Sequence, residues 1–201
     1  MLDRLALKLV KPMVEAAATR LAARGMTADQ ATLAGFGFGM IAAILIAFGF
    51  TTLAILPILL NRALDGVDGA LARMSGPTER GAFLDISLDF VFYAAIPLAF
   101  AAQAPEQNAL AAAVLLAAFV ATGTSFLAFA VMAEKRGLKS TAYPSKSFYY
   151  LGGLTEGTET ILCFLAMCWW PQHFAVIAII YAVLCMLTAV TRLVAGWKMF
   201  A

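Results

Sequence analysis

Of the 201 residues, 63% are apolar and 13% charged, about half the charged share of an ordinary soluble chain, and the mean hydropathy is +0.88. This composition excludes a disordered segment and a disulfide scaffold, and a formal charge of +2 is too small to indicate a nucleic-acid partner. Most of the chain must face lipid or other apolar helices, so the fold class is all-α integral membrane.

Residues 1–24 place Leu2, Leu5, Leu9, Met13, Ala16 and Ala17 on one helical stripe, with Lys8, Lys11 and Arg20 largely elsewhere. That pattern predicts an amphipathic helix lying on the membrane surface. The mixed charges over 1–25 leave no clean apolar core for a cleavable signal peptide, so the membrane segments are expected to do the targeting. Thr27 and Gln30 have the spacing of a capping box and should start the first span. A span needs about 20 mostly apolar residues, and six segments qualify: 31–50, 52–73, 82–103, 108–133, 152–170 and 174–196. With no internal repeat or linker, the chain reads as a single membrane domain over 1–201.

The Gly35-Phe36-Gly37-Phe38-Gly39 run in the first span sets small residues at close helical spacing, which suits helix packing. No strand precedes it, so it is not a dinucleotide fingerprint. The connections near 51, 104–107 and 171–173 contain no Lys or Arg. Arg4, Lys8, Lys11, Arg20, Arg24, Arg80, Lys135, Arg136, Lys139, Lys146 and Lys198 all fall at the opposite ends of the spans. The positive-inside rule then puts both termini in the cytoplasm of a multi-pass inner-membrane protein. Cys163, Cys168 and Cys185 sit in apolar stretches without metal-ligand spacing and read as packing residues. His173, beside Trp169, Trp170 and Pro171, occupies an aromatic-belt position at the outer interface.

Four aspartates break the apolar pattern. Asp65, Asp68, Asp85 and Asp89 lie inside the second and third spans, where four ionised carboxylates cost on the order of 10 kcal/mol. Arg62, Arg73 and Arg192 are the basic residues deep enough to pair with them, too few to neutralise all four. Asp65 and Asp68 are three apart on one helix face, with Gly69 and Ala72 completing it; Asp85 and Asp89 are four apart, with Gly81 a turn earlier. The second span ends in the cytoplasm and the third begins there, so both pairs come to similar depth in the cytoplasmic half. An all-oxygen donor set from two adjacent helices suits Mg²⁺ or Mn²⁺, with room for two ions, and disfavours zinc or copper. The small residues beside it would admit a bulky polar ligand, so the feature reads as a metal-diphosphate site.

Written out, residues 65–89 are DGVDGALARMSGPTERGAFLDISLD: Asp-x-x-Asp-Gly-x-x-Ala-Arg, seven residues, then Gly-x-x-x-Asp-x-x-x-Asp. This closely resembles the signature of the CDP-alcohol phosphatidyltransferase family, membrane enzymes with six spans. The resemblance implies transfer of a phosphatidyl group from CDP-diacylglycerol to the hydroxyl of a small polar alcohol, with release of CMP. By the same resemblance Asp65, Asp68, Asp85 and Asp89 would hold metal, and Asp89 would also act as general base. Gly69, Ala72, Arg73, Thr78 and Gly81 would meet the CDP-lipid. A further family element before the first span, Pro-Asn/Asp-x-x-Thr, matches Ala28-Asp29-Gln30-Ala31-Thr32 without its proline, which makes Asp29, Gln30 and Thr32 weaker matches. A homodimer is expected from the family alone.

Two patterns bear on the acceptor and point in opposite directions. Lys135, Arg136, Lys139 and Lys146 surround the fourth connection, and Arg192 lies a turn or two inside the last span; these suit an acceptor phosphate, as in inositol phosphate or glycerol phosphate. Lys135 and its neighbours equally suit a cytoplasmic loop drawn to anionic lipid. Glu156 and Glu159 at the start of the fifth span suit hydroxyls or an amine, as in free inositol or serine, and equally suit helix capping. Asn61 and Arg62, a turn before Asp65, either orient the site or pack. Other functions with buried acids are an intramembrane prenyltransferase, whose first motif Asn61-x-x-x-Asp65 faintly resembles, and a divalent-cation transporter. The first leaves Ala72-Arg73 and Gly81 unexplained. The second requires polar groups through the whole depth, and the outer half is nearly bare of charge.

Overall fold

The computed structural model describes residues 3–137 and 154–201, with side chains from residue 10 onward. Among the described residues all regular structure is helical: α1 (Asp3–Ala22), α2 (Ala28–Ala47), α3 (Thr51–Ser75), α4 (Glu79–Gln103), α5 (Pro105–Lys135), α6 (Gly157–Trp169), one 3₁₀ turn (Pro171–His173) and α7 (Phe174–Phe200). Among the described residues four stretches are long and apolar enough to cross a membrane: α2, α4, α5 and the continuous run Pro171–Phe200. α3 matches them in length, with 25 residues, but carries Arg62, Asp65, Asp68 and Arg73. α6 has 13 residues and follows a segment, 138–153, that lies outside the described residues together with Lys139, Lys146 and the first two residues of the predicted fifth span.

Local sequence accounts for the helix starts and stops. The Gln30 N–H donates to Thr27 Oγ1 at 3.2 Å and the Thr27 N–H to Gln30 Oε1 at 3.0 Å, so the capping box opens α2 as its spacing predicts. α3 ends at Gly76, whose φ of +93° is a conformation that costs glycine least. Thr78 then caps α4, its Oγ1 accepting from the Gly81 N–H at 3.0 Å.

The main core gathers Ile46, Ile58, Phe92, Ile96, Phe100, Leu115, Phe164 and Phe174, all fully buried. Phe100 and Phe174 stack with centroids 4.5 Å apart, joining the C-terminal end of α4 to the start of α7. Leu184, Leu187, Val190 and Leu193 on α7 are exposed, as are Leu33, Ile41 and Ile44 on α2, the apolar exterior that lipid requires. α1 docks on α3 through a second cluster: Ala18 is buried against Ala31, Val67, Ala70 and Leu71, with Val14, Ala17 and Leu21 beside it. Val10, Met13 and Ala16 are exposed, so from residue 10 onward this helix faces the protein with Val14, Ala17, Ala18 and Leu21 and turns Met13 and Ala16 of the predicted stripe outward; Leu2, Leu5 and Leu9 lie outside the described side chains.

α3 and α4 each pack on α2, and glycine sets how closely. A Cβ on Gly39 would sit 2.6 Å from the Phe92 ring and 3.2 Å from Asn61 Nδ2. A Cβ on Gly35 would sit 3.2 Å from Leu64 Cβ. The glycine run thus works as a packing surface that draws α3 and α4 onto α2.

Candidate active site

The two acidic pairs meet. Carboxylate oxygens of Asp65 on α3 and of Asp85 and Asp89 on α4 lie within 4.8 Å of one another. Asp68 lines the same small cavity, with Thr32, Gly35 and Asn61 contributed by α2 and α3. One Asp68 oxygen accepts from Thr32 Oγ1 at 2.6 Å, which ties the first turns of α2 to the acidic face of α3. The spacing produces this convergence directly: Asp65 and Asp68 share one face of α3, Asp85 and Asp89 one face of α4, and the short turn at 76–78 folds the faces together.

Among the described residues Arg62 enters the group. Arg62 forms an ion pair with Asp65, lies 3.8 Å from Asp89, and donates from Nη1 to Tyr93 Oη at 3.2 Å. Arg73 is exposed, and Arg192 donates to the Thr122 carbonyl at 3.2 Å on another helix. The four carboxylates line an acidic pocket whose side-chain donors are oxygens of Asp65, Asp68, Asp85 and Asp89, with Thr32 and Asn61 beside them. That donor set fits a hard divalent cation.

A second cavity, of about 540 Å³, adjoins the first; Asp89 lines both. Its polar lining includes Arg62 on α3, Tyr93 on α4, Thr122 on α5, Arg192 on α7, and Thr155, Glu156 and Thr160 around the start of α6. Arg192 is only 7% exposed and its guanidinium lies 5.4 Å from the centroid of Phe126. The volume is within the range of small-molecule sites.

A family model described as CDP-alcohol phosphatidyltransferase matches residues 26–194. The chain belongs to that family. It is 51% identical over 197 residues, 98% of this chain and 96% of the relative, to the inner membrane protein YnjF of Escherichia coli (strain K12). It is 33% identical over 90 residues, 44% of this chain and 47% of the other, to archaetidylinositol phosphate synthase of Pyrococcus horikoshii. The fold is shared with the Mycobacterium tuberculosis phosphatidylinositol phosphate synthase solved with CDP-DAG bound, with a TM-score of 0.74, 23% identity, and coverage of 92% of this chain and 94% of that one. The same protein in complex with manganese and citrate gives a TM-score of 0.73, 23% identity and coverage of 92% and 88%. The protein is therefore a CDP-alcohol phosphatidyltransferase, a transferase of phospholipid synthesis.

In this phosphatidyltransferase, of the residues that the resemblance assigns to the CDP-lipid, Asp29, Thr78 and Gly81 come together where α2 and α4 begin. A Cβ on Gly81 would lie 3.1 Å from Thr78 Oγ1 and 3.2 Å from Asp29 Oδ1, and Arg80 forms an ion pair with Asp29. A Cβ on Gly69 would meet Arg73 Nη1 at 3.4 Å, and Ala72, half-buried, precedes Arg73 on the last turns of α3. Gln30 is engaged in the capping box. Of the residues weighed for the acceptor, Arg192 and Glu156 line the larger cavity, while Lys135 is exposed at the end of α5 and does not. Arg136 caps α7 instead, donating to the Met199 and Phe200 carbonyls at 2.8 and 2.7 Å. The Glu156 N–H donates to Glu159 Oε2 at 3.3 Å, so the capping role of this pair holds alongside the cavity position of Glu156.

Sequence reasoning missed Tyr93, Thr122 and Arg80. Tyr93 carried a signal, since it continues the four-residue rhythm Gly81, Asp85, Asp89. Arg80 stands between Thr78 and Gly81, within the matched signature but at an unspecified position. Thr122 meets Arg192 through its backbone carbonyl, for which side-chain type gives no signal.

Proposed function

We propose that the enzyme transfers the phosphatidyl group of CDP-diacylglycerol to a polyol phosphate, such as inositol phosphate or glycerol phosphate, and releases CMP. The observation that carries this reading is the position of Asp89, whose carboxylate borders both the acidic pocket and the 540 Å³ cavity. The base and the acceptor are thereby adjacent. Asp65, Asp68, Asp85 and Asp89 would hold Mg²⁺ or Mn²⁺, two ions in all. When bound, the ions neutralise charge on the diphosphate and on the leaving CMP. Asp89 accepts the proton of the attacking hydroxyl, which lies in the larger cavity. Arg62 holds the rim between the two cavities, and Arg192, buried in the second, orients the acceptor phosphate. Asp29, Thr32, Gly69, Ala72, Arg73, Thr78 and Gly81 form the CDP-lipid side. Gln30 serves it indirectly, by fixing the first turn of α2.

Support for a phosphorylated acceptor comes from Arg192, buried on the cavity wall, with Arg62 also lining the cavity beside Asp89 and Glu156. Two of the similar proteins are named as synthases of inositol phosphate lipids. Glu156 favours a second reading, in which a free polyol or an amino alcohol is the acceptor.

The chain lies in the inner membrane as a single domain, with six spans, α1 resting on the cytoplasmic surface, and both termini and the active site on the cytoplasmic side. The acyl chains then stay in lipid while nucleotide and acceptor arrive from water. A homodimer is the expected assembly. The test is purified protein in lipid nanodiscs with CDP-diacylglycerol and Mn²⁺, scored by CMP release over a panel of acceptors. Turnover with polyol phosphates and none with the free alcohols is the expected result. Turnover with free inositol or serine alone would replace this reading by the second, and a blank panel under every divalent metal would remove both.

A further inference from the structure

Asn61 lies on α3 one turn before Asp65, on the face that carries the acidic pair. Its side chain is 4% exposed and lines the same small cavity as the four aspartates. Nδ2 donates to the Gly35 carbonyl at 3.0 Å. That bond fixes the sense of the carboxamide, because the reversed amide would set two oxygens against each other. Oδ1 is buried and has no hydrogen-bond partner among the described residues. An acceptor in this condition carries its full desolvation penalty, which a leucine at the same place would avoid.

The neighbours in the cavity cannot relieve it. Ionised carboxylates only accept, and the Thr32 hydroxyl is engaged with Asp68. What satisfies several converging oxygens without donors is a cation. We propose that Asn61 Oδ1 is a neutral oxygen ligand of the divalent-ion site, added to the carboxylates. A fifth carboxylate would add repulsion to a group that already holds four; a carboxamide adds a ligand without charge. This inference rests on the reading of the aspartates as the metal-holding group.

Two measurements test it. The sequence has two asparagines, Asn61 and Asn108, and Asn108 donates to the Phe100 carbonyl at the junction of α4 and α5, where it serves as an internal control. In wild-type protein labelled with ¹³C at the asparagine carboxamide carbon, Mg²⁺ should shift the Asn61 resonance and leave Asn108 in place. By electron paramagnetic resonance, Asn61→Leu should bind Mn²⁺ about tenfold or more weakly than wild type, with its unfolding temperature in EDTA recorded separately. An unmoved Asn61 carbon in metal-saturated protein overturns the proposal, and this arm decides if the variant does not fold or the two arms disagree. Asp85→Asn separates the premise from the inference. If it abolishes Mn²⁺ binding while Asn61→Leu binds like wild type and the Asn61 carbon of wild-type protein stays fixed, only the Asn61 assignment fails. If wild type binds no divalent ion, both fail.

Discussion

Asp89 and Arg192 both line one cavity, and the proposed chemistry divides between them. Asp89 reaches the acidic pocket as well, so the proposed base can act on a hydroxyl only where acceptor and metal site meet. Asp89→Asn keeps the shape and removes the base, and CMP release should fall by about 100-fold or more; a variant with wild-type turnover would assign the base elsewhere. Arg192→Ala removes a buried cation from the acceptor side. The KM for a polyol phosphate should rise by about tenfold or more, as expected for a charge-assisted contact, with the KM for CDP-diacylglycerol unchanged. Lys135→Ala is expected to leave both constants alone, since that side chain is exposed and outside the cavity. The four aspartates were legible because ionised groups in an apolar helix are costly and their spacings of three and four map onto helix faces. Arg62 was legible as a nearby cation but not as the bridge between Asp65 and Asp89, because that bridge depends on how α3 and α4 are rotated against each other.

Helices were the easier level to read, and the reason lies in particular residues. Thr27 and Gln30 mark the start of α2 by a local hydrogen-bond exchange that no tertiary contact alters. The predicted first span, 31–50, nevertheless runs late, because the polar first turn Ala28-Asp29-Gln30 is already helical and α2 stops at Ala47 before the Gly49 turn. α1 shows what periodicity cannot give. Its apolar residues cover more than one face, and the surface of α3 selects Ala18, whose small side chain permits close approach. The glycine run of α2 was read as packing, and its partners, Phe92 and Asn61, came only from the structure. Gly39→Ala should therefore destabilise the bundle by about 1–3 kcal/mol, the usual cost of an overpacked methyl. Thermal unfolding in detergent would show it; an unchanged midpoint would mean that α2 and α4 separate without penalty.

The whole molecule has two unlike ends, and the arrangement of the helices makes the difference testable. At one end α2 and α4 begin side by side, joined by the Asp29–Arg80 ion pair, and α5 and α7 finish together through Arg136 and the Phe200 carbonyl. Arg20, Arg24, Arg80, Lys135, Arg136 and Lys198 belong to this end. At the other, Phe100 stacks on Phe174 and Asn108 binds the Phe100 carbonyl, with Glu106 and His173 the titratable side chains of the connections. Basic residues resist translocation, so the first end should stay in the cytoplasm together with the acidic pocket. Alkaline phosphatase fused after Glu106 or Gln172 should be active, and a fluorescent protein fused after Ala201 should be bright. Reversing the charge bias tests the cause as well as the outcome. Neutralising Arg20, Arg24 and Arg80 while placing lysines at Glu106 and Gln107 should increase the fraction of chains whose C-terminus labels from outside. If the C-terminus of the unaltered chain is already outside, the basic ends do not set the orientation, and the pocket opens away from the cytoplasm.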